Sequence, residues 1–498
     1  MLKLPTLALC LVLSTCTRSP AEPSAPALLE VAAVPPSEDS EIAAFYTARS
    51  HRPLWTDSAA GARLLAVLAQ AESDGLDPTR YRVAEIEAAL RAGDPASLAR
   101  ADLLLSEGLV RYARDLRTLA TAAPSVLAEQ RLGPQAPPAR ALLEAAAAAP
   151  DRRAHAADAR RLNAVYDGLR HGLEDYRRRW SRLPQVRLAD RPDPALIRRR
   201  LGLAPSADET ALRRALAEFK RVHGLPGTPE ADSATVAALN LGAAHFERLI
   251  RLNMERARIL PAEGRFVLVD AAAARLWMFE GERPAGTMRV IVGKQAMQTP
   301  TLAGRIRHAV LNPYWNVPVD LARQRARQVL RQGPRVLARE RLQILSQFSA
   351  SDRVLSASSV NWRAVAAGRE PLRLRQLPGG ANVMGSIKFM LPNNLDIYLH
   401  DFPDKSLFAQ SDRRLSSGCV RLEDAPALAR WLFGGAEPRP EGPGPEQRVE
   451  LPEPVPVYIT YLTAVPAGEG VAFQPDRYGR DSAALAALER PGNGRRRA

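Results

Sequence analysis

The apolar pattern changes period near Arg265, and this change constrains the fold more than any other feature. Before it, apolar residues recur at three- and four-residue spacing. Ile42, Phe45, Tyr46 and Arg49 share one helical face, and Leu104, Leu105, Leu109, Val110 and Tyr112 fall on another. Further helices are expected at 64–71, 83–90 and across the Ala- and Arg-rich stretch 142–180, with Asp74-Gly75-Leu76-Asp77 as a turn. After Arg265, the runs 266–270, 275–279 and 286–292 are dense in β-branched and aromatic residues and punctuated by Gly281 and Gly293, so strands are expected. Helical patterning returns over 320–370, read as an insertion. Strands resume at 387–389 and 395–399, and a last one at 455–461 follows a Pro/Gly/Glu-rich linker at 436–454. A chain of 498 residues exceeds one core and implies two to four domains. The expected class is multidomain α+β.

Only Cys10, Cys16 and Cys419 carry thiols, and the first two lie in the N-terminal segment. No disulfide framework can form in the mature domains, so apolar packing must hold them together. The apolar fraction of 46% is sufficient, although aromatics are sparse at 5%. The net charge is +15, carried almost entirely by Arg. One reading is a compositional habit shared with the abundant Ala and Pro; another is attraction to an anionic surface. The Arg residues are spread out, with no basic patch carrying interleaved aromatics, which argues against nucleic acid.

Residues 1–16 place one Lys before a short apolar run. The run is too short to span a bilayer as a mature helix and fits a secretory signal, so export to the periplasm is expected. Leu13-Ser14-Thr15-Cys16 resembles a lipoprotein processing site; ordinary cleavage further on and an uncleaved anchor are the alternatives. Membrane contact is expected only through this N-terminus. Residues 17–37, rich in Pro, Ala, Ser and Glu, read as a flexible tether. The helical region 38–190 shows no catalytic spacing. Residues 195–242 form a compact helical module in which His223-Gly224-Leu225 ends the helix 212–222 and a last helix runs 233–239, with His223 read as a packing residue and Asp232 or Ser233 as an N-cap. Its pattern resembles the three-helix peptidoglycan-binding module; a plain helical connector is the alternative.

An exported chain that keeps one unpaired thiol directs attention to Cys419. A strand ends Tyr398-Leu399-His400, so Tyr398 and His400 share a face. The turn Ser416-Ser417-Gly418-Cys419-Val420-Arg421 places Gly418, free to adopt unusual dihedrals, directly before the thiol. A thiol is mostly protonated at neutral pH, yet the thiolate is the nucleophile. An imidazole can take its proton, hold it in an ion pair and later protonate a leaving amine. Cys419 is therefore the candidate nucleophile and His400 the candidate base, with the Gly418 turn offering backbone N–H groups to an oxyanion. Arg421 can anchor the turn or a substrate carboxylate. Tyr398, Ser417 and Trp315 are candidate cleft residues; Tyr398 and Trp315 could equally be packing residues. No HExxH pair, Cys cluster or phosphate-binding Gly loop is present, so no metal or other cofactor is expected.

His400-Asp401 together with Ser416-Ser417-Gly418-Cys419-Val420-Arg421 resembles the signature of the L,D-transpeptidases. Val292-Gly293, Thr299-Pro300, Asn312 to Pro318, Gly385 to Phe389 and the segments around Phe45 to Trp55 and Asp74 to Asp77 extend the likeness to the large Gram-negative type. The resemblance implies a helical scaffold domain at 38–190, a peptidoglycan-binding module at 195–242, and a mainly-β catalytic domain at 262–465 with a helical insertion at about 320–370. A C-terminal extension at 466–498 is expected to be partly disordered. The resemblance also implies that Cys419 attacks a tetrapeptide stem, releases D-Ala and yields a 3→3 cross-link, and that carbapenem-type inhibitors acylate it. It gives the Asp401 backbone carbonyl the task of orienting His400. Ser417 stands where many members have His, which removes a second-imidazole mechanism. Cell-wall synthesis proteins are candidate partners of the helical region. Hydrolysis by the same site (an L,D-carboxypeptidase) and a non-catalytic wall-binding scaffold remain the competing readings.

Overall fold

The computed structural model describes residues 32–55, 58–118, 126–129, 132–347 and 352–488. The expected export segment with Cys16, most of the tether, and the Arg-rich tail after Pro491 lie outside them. The α+β class holds, with helices filling the N-terminal half and strands dominating the C-terminal half.

Among the described residues, seven α-helices come first: α1 (Ser40–Ala48), α2 (Ser58–Ala69), α3 (Val83–Ala92), α4 (Pro95–Leu116), α5 (Ala139–Ala148), α6 (Arg152–Asp158) and α7 (Ala164–Tyr176). Acidic and amide side chains start several of them. Asp39 accepts from the Glu41 and Ile42 N–H groups, Asp94 precedes a proline at the first helical position, and Asn163 accepts from Tyr166 N–H. The long helix α4 buries Asp102, which accepts from Leu54 N at 2.9 Å and from the Tyr46 hydroxyl at 2.6 Å. Asp74 is likewise buried. It accepts from Tyr112 Oη at 2.8 Å and Arg160 Nε at 3.0 Å, and its carbonyl accepts from the fully buried Arg258 at 2.5 Å.

Helices α8 (Pro194–Arg200), α9 (Glu209–Val222) and α10 (Ser233–Ala257) follow. Asp232 caps α10, and Gly242, at φ +77°, breaks this helix so that its second half runs on towards the strands. His223 is buried at the end of α9, stacked on Phe219 and Phe473, and burial pushes its imidazole down to about 4. One apolar core runs unbroken from Ile42 through Leu109 and Leu173 to Phe219 and Phe246.

The strands are β1 (Val126–Leu127), β2 (Arg265–Asp270), β3 (Arg275–Glu280), β4 (Arg283–Gly293), β5 (Leu302–Leu311), β6 (Trp315–Val317), β7 (Leu342–Leu345), β8 (Val354–Leu355), β9 (Arg373–Gln376), β10 (Ile387–Met390), β11 (Leu399–Asp401), β12 (Arg414–Ser416), β13 (Val420–Leu422), β14 (Gln447–Thr460), β15 (Ala464–Ala467) and β16 (Gly470–Phe473). The order β5-β10-β11-β13-β4-β3-β2-β14 closes on itself, because β14 pairs with β2 in parallel and with β5 antiparallel. Closure leaves these eight strands without a free edge, and Val267, Val269, Leu302, Ile306, Phe389 and Val457 fill the interior.

The insertion differs from its helical expectation. It holds α11 (Val319–Gln332), α12 (Arg335–Arg339) and α13 (Trp362–Ala366), but also β7 and β8, which join β6 and β9 just outside the expected bounds in a four-stranded sheet, order β6-β9-β7-β8, with its own apolar core. Leu342 and Ile344 alternate over only four residues, too few to separate a strand from the surrounding Arg- and Leu-rich helical pattern. The C-terminal boundary expected at 465 falls inside the β15–β16 hairpin, which lies against α7, and α15 (Asp481–Leu488) follows. Among the described residues, no helix is long and apolar enough to cross a membrane.

Candidate active site

Strands β11 and β13 run in parallel, with Leu399 opposite Val420 and His400 opposite Arg421. Tyr398 and Cys419 immediately precede these strands, the Val420 N to Tyr398 O bond at 3.2 Å continues the pairing to them, and all four side chains line one cleft. Cys419 and His400 are thus diagonal neighbours at the start of one parallel strand pair. All four line a cleft of about 540 Å³ with Ser416, Ser417, Leu395, Asp396 and Ile397. The insertion supplies the opposite wall through Trp315, Val317, Val319 and Leu321. Gly418 and Asp401 flank the cleft.

The nucleophile turn is held from three sides. Gly418 has φ +118°, a region that side chains strongly disfavour, and a Cβ there would sit 3.4 Å from Ile397 Cδ1. Ser416 Oγ accepts from Gly418 N at 3.1 Å and donates to Cys419 O at 2.6 Å. The Gly418 amide is therefore occupied within the turn. Its contribution is conformational, and it is not free to serve an oxyanion as expected of this turn. From below, the buried Thr299 hydroxyl donates to Gly418 O at 2.7 Å while accepting from Gly293 N at 2.8 Å.

His400 is buried, and its Nδ1 donates to Asp401 O at 2.6 Å. A carbonyl only accepts, so Nδ1 carries the proton and Nε2 is the free base. The Asp401 side chain accepts from Ser386 N at 2.9 Å and Lys405 Nζ at 2.8 Å, which fixes the residue that orients the ring. Burial, then the Arg421 charge, pushes the imidazole down to about 3. Burial pushes the Cys419 thiol up, opposed by hydrogen bonds to the Tyr398 backbone and hydroxyl. Both shifts favour the uncharged thiol and the uncharged ring in the resting site, and so disfavour a preformed ion pair. The thiol donates to Asp396 O at 3.5 Å. Asp396 itself sits at φ +53° in a loop organised by Asn393, whose side chain bonds the backbone of Leu391, Leu395 and Ile397.

Arg421 lies 4.2 Å above the Phe402 ring centroid, and its Nε is buried without a hydrogen-bond partner. Among the described residues no carboxylate forms an ion pair with it. Trp315 is buried in the cleft wall, and Ser417 is half-buried at its rim. Thr299, Ser416, Asp396 and Asn393 carry no motif strong enough to nominate them singly; the Thr299-Pro300 dipeptide is the nearest to a signal. Among the described residues no group of three or more His, Cys, Asp or Glu side chains is placed to hold a metal.

Residues 264–455 match the family model of the L,D-transpeptidase catalytic domain, and residues 40–173 match that of the scaffold domain. The chain carries an L,D-transpeptidase catalytic domain behind a scaffold domain. A Haemophilus influenzae protein assigned by name to the L,D-transpeptidases is 29% identical over 238 residues, which cover 47% of this chain and 48% of the relative. The match thus spans about half the length of this curated relative. Weaker likenesses are to the solved Ldtfm–avibactam carbamoyl enzyme (12% identity, 44% of this chain and 61% of that one, TM-score 0.19) and to an L,D-transpeptidase from Xylanimonas cellulosilytica (15%, 56% and 97%, TM-score 0.15). The family-matched region contains His400, Cys419 and every cleft residue named above.

Proposed function

We propose that this chain is a peptidoglycan L,D-transpeptidase that works through a Cys419 thioester. The carrying observation is the cleft-lining quartet of Tyr398, His400, Cys419 and Arg421, with the lone pair of His400 fixed on Nε2 by Asp401. Nε2 takes the thiol proton as sulfur attacks the carbonyl of the bond between the L-centre and D-Ala in a tetrapeptide stem. The carbon–nitrogen bond breaks, the imidazolium returns the proton to the departing D-Ala amine, and the acyl group stays on sulfur. The side-chain amine of a second stem then attacks the thioester, gives its proton to Nε2, and leaves a 3→3 cross-link and a free thiol. The Cys419 N–H faces the oxyanion in both steps. Arg421 takes a stem carboxylate, since a cleft guanidinium with a buried, unbonded Nε is well satisfied by a bidentate anion. Export to the periplasm by the N-terminal segment, wall binding by residues 195–242, and carbapenem acylation of Cys419 belong to the same reading.

The test is incubation of the full chain with defined tetrapeptide muropeptides, read by mass spectrometry. A 3→3 dimer with free D-Ala is expected, and none from Cys419→Ala. A tripeptide product alone would make the enzyme a carboxypeptidase. No product and no carbapenem adduct on Cys419 would leave a wall-binding scaffold.

A further inference from the structure

The catalytic turn rests on a loop that is itself held by residues beyond the family-matched region, which ends at 455. Tyr478 Oη donates to Gly293 O at 2.5 Å, and Arg480 donates to Thr299 O and to Gln298 Oε1, each at 2.9 Å. The Arg480 guanidinium lies over the Tyr478 and Tyr461 rings, at 4.6 and 4.9 Å from their centroids, and these two rings stack on each other. Asp476 ties the segment together, accepting from Tyr461 Oη at 2.7 Å and from the Arg480 and Asp481 N–H groups at 2.9 Å. Asp481 pairs with Arg256 at the end of α10 at 2.8 Å. The 293–299 loop so held is tight: a Cβ on Gly293 would lie 2.0 Å from Met297 O. The loop meets the catalytic turn at two points, Lys294 N to Ser416 O at 2.9 Å and Thr299 Oγ1 to Gly418 O at 2.7 Å.

The second contact matters chemically. The Gly418 carbonyl and the Cys419 N–H belong to one planar trans peptide, so they point in opposite directions. Thr299 draws the carbonyl down into the buried loop and thereby turns the N–H away from it, to the side on which the thiol lines the cleft. Glycine at 418 offers little torsional resistance to a flip of this peptide. We propose that Thr299, held by Tyr478 and Arg480 of the C-terminal segment, is a positioning residue that aims the Cys419 N–H at the oxyanion of the acyl-transfer step. The role in acyl transfer rests on the function proposed above; the mechanical clamp does not.

Two measurements on the full chain test it, using Thr299→Val, Thr299→Ser and Tyr478→Phe. In hydrogen–deuterium exchange, amides of the 415–421 peptide should exchange faster in Thr299→Val and Tyr478→Phe and at the wild-type rate in Thr299→Ser; unchanged exchange in the first two overturns the clamp. In the second measurement, carbapenem acylation of Cys419 is compared with its alkylation by iodoacetamide, which displaces iodide at a saturated carbon and forms no oxyanion. Acylation should fall by about tenfold or more in Thr299→Val, as for loss of an oxyanion donor, and recover in Thr299→Ser, with alkylation unchanged. An equal fall in both reactions would mean a displaced thiol and would overturn the oxyanion role, as would no fall in acylation. Failure of the wild type to acylate while it alkylates would refute the proposed function and the oxyanion role with it, leaving the clamp to stand or fall on the exchange data.

Discussion

Nδ1 of His400 donates to the carbonyl oxygen of Asp401 at 2.6 Å, a contact between sequence neighbours that selects the tautomer of the ring. With Nε2 left free and the imidazole pushed down to about 3, lowering the pH protonates the ring only far below neutrality. The thiol, raised by burial, loses its proton only well above neutrality. Iodoacetamide alkylation of Cys419 should therefore climb about tenfold per pH unit from pH 7 to 9, following the thiolate fraction. A plateau below pH 7 would reveal a preformed thiolate–imidazolium pair and contradict the neutral resting state. Carbapenem acylation should show no acidic limb near pH 6.5.

Arg421 is the cleft's unsatisfied cation, stacked on Phe402 with its Nε unpartnered. Arg421→Met keeps the stacked apolar stem and removes the charge. The KM for a tetrapeptide donor should rise by roughly ten- to a hundredfold, the worth of a charge-assisted hydrogen bond, with kcat changed much less. The thermal midpoint should not fall, because a buried unpaired donor disappears with the guanidinium. An unchanged KM would remove Arg421 from substrate binding.

Tyr398 and His400 are legible in the sequence as one face because a strand's period of two puts 398 with 400, while Cys419 and Arg421 are legible only as members of a Gly-containing turn. Strand adjacency is not written in any spacing: that β11 and β13 pair in parallel is decided by closure of the eight-stranded sheet. Thr299 meets Gly418 across 119 positions, so nothing local to either marks the contact. The direction in which burial moves the Cys419 thiol and the His400 ring is hidden for the same reason, since residue types carry no measure of burial. The C-terminal segment reads as a low-pattern tail because its hold on the loop is made by scattered polar groups, not by an apolar period.

Asp74 shows the same limit in the helical region. Asp74-Gly75-Leu76-Asp77 reads as a turn, and it is one, with Gly75 at φ +69°. Its first carboxylate, however, is buried between the Tyr112 hydroxyl and Arg160. Asp74→Asn removes the 3.0 Å partner of the buried Arg160 and leaves it only the longer pair to Glu174 at 3.8 Å, which should destabilise this region by roughly 3 kcal/mol. Chemical denaturation of the full chain would show it as an early loss of helical signal. A transition superimposable on wild type would mean that water or rearranged neighbours satisfy Arg160.

Asp270 offers the clearest pH signature. Its Oδ1 accepts from Ala272 N and Leu462 N, each at 2.9 Å, while Oδ2 is buried with no partner. Burial, only partly offset by those backbone hydrogen bonds, pushes the carboxyl up to about 7. An acid with a raised folded-state pKa binds its proton more tightly when folded than when unfolded. Its stabilising contribution is then complete below about pH 4, the unfolded value, and is lost as pH rises towards 7. Over that window the loss amounts to at most about 4 kcal/mol. Asp270→Asn cannot titrate, so the difference in thermal midpoint between wild type and variant should shift steadily against the wild type from pH 4 to 7 and then level off. A constant difference across the window would mean that Asp270 stays ionised in the fold, with its charge answered by the nearby Arg256.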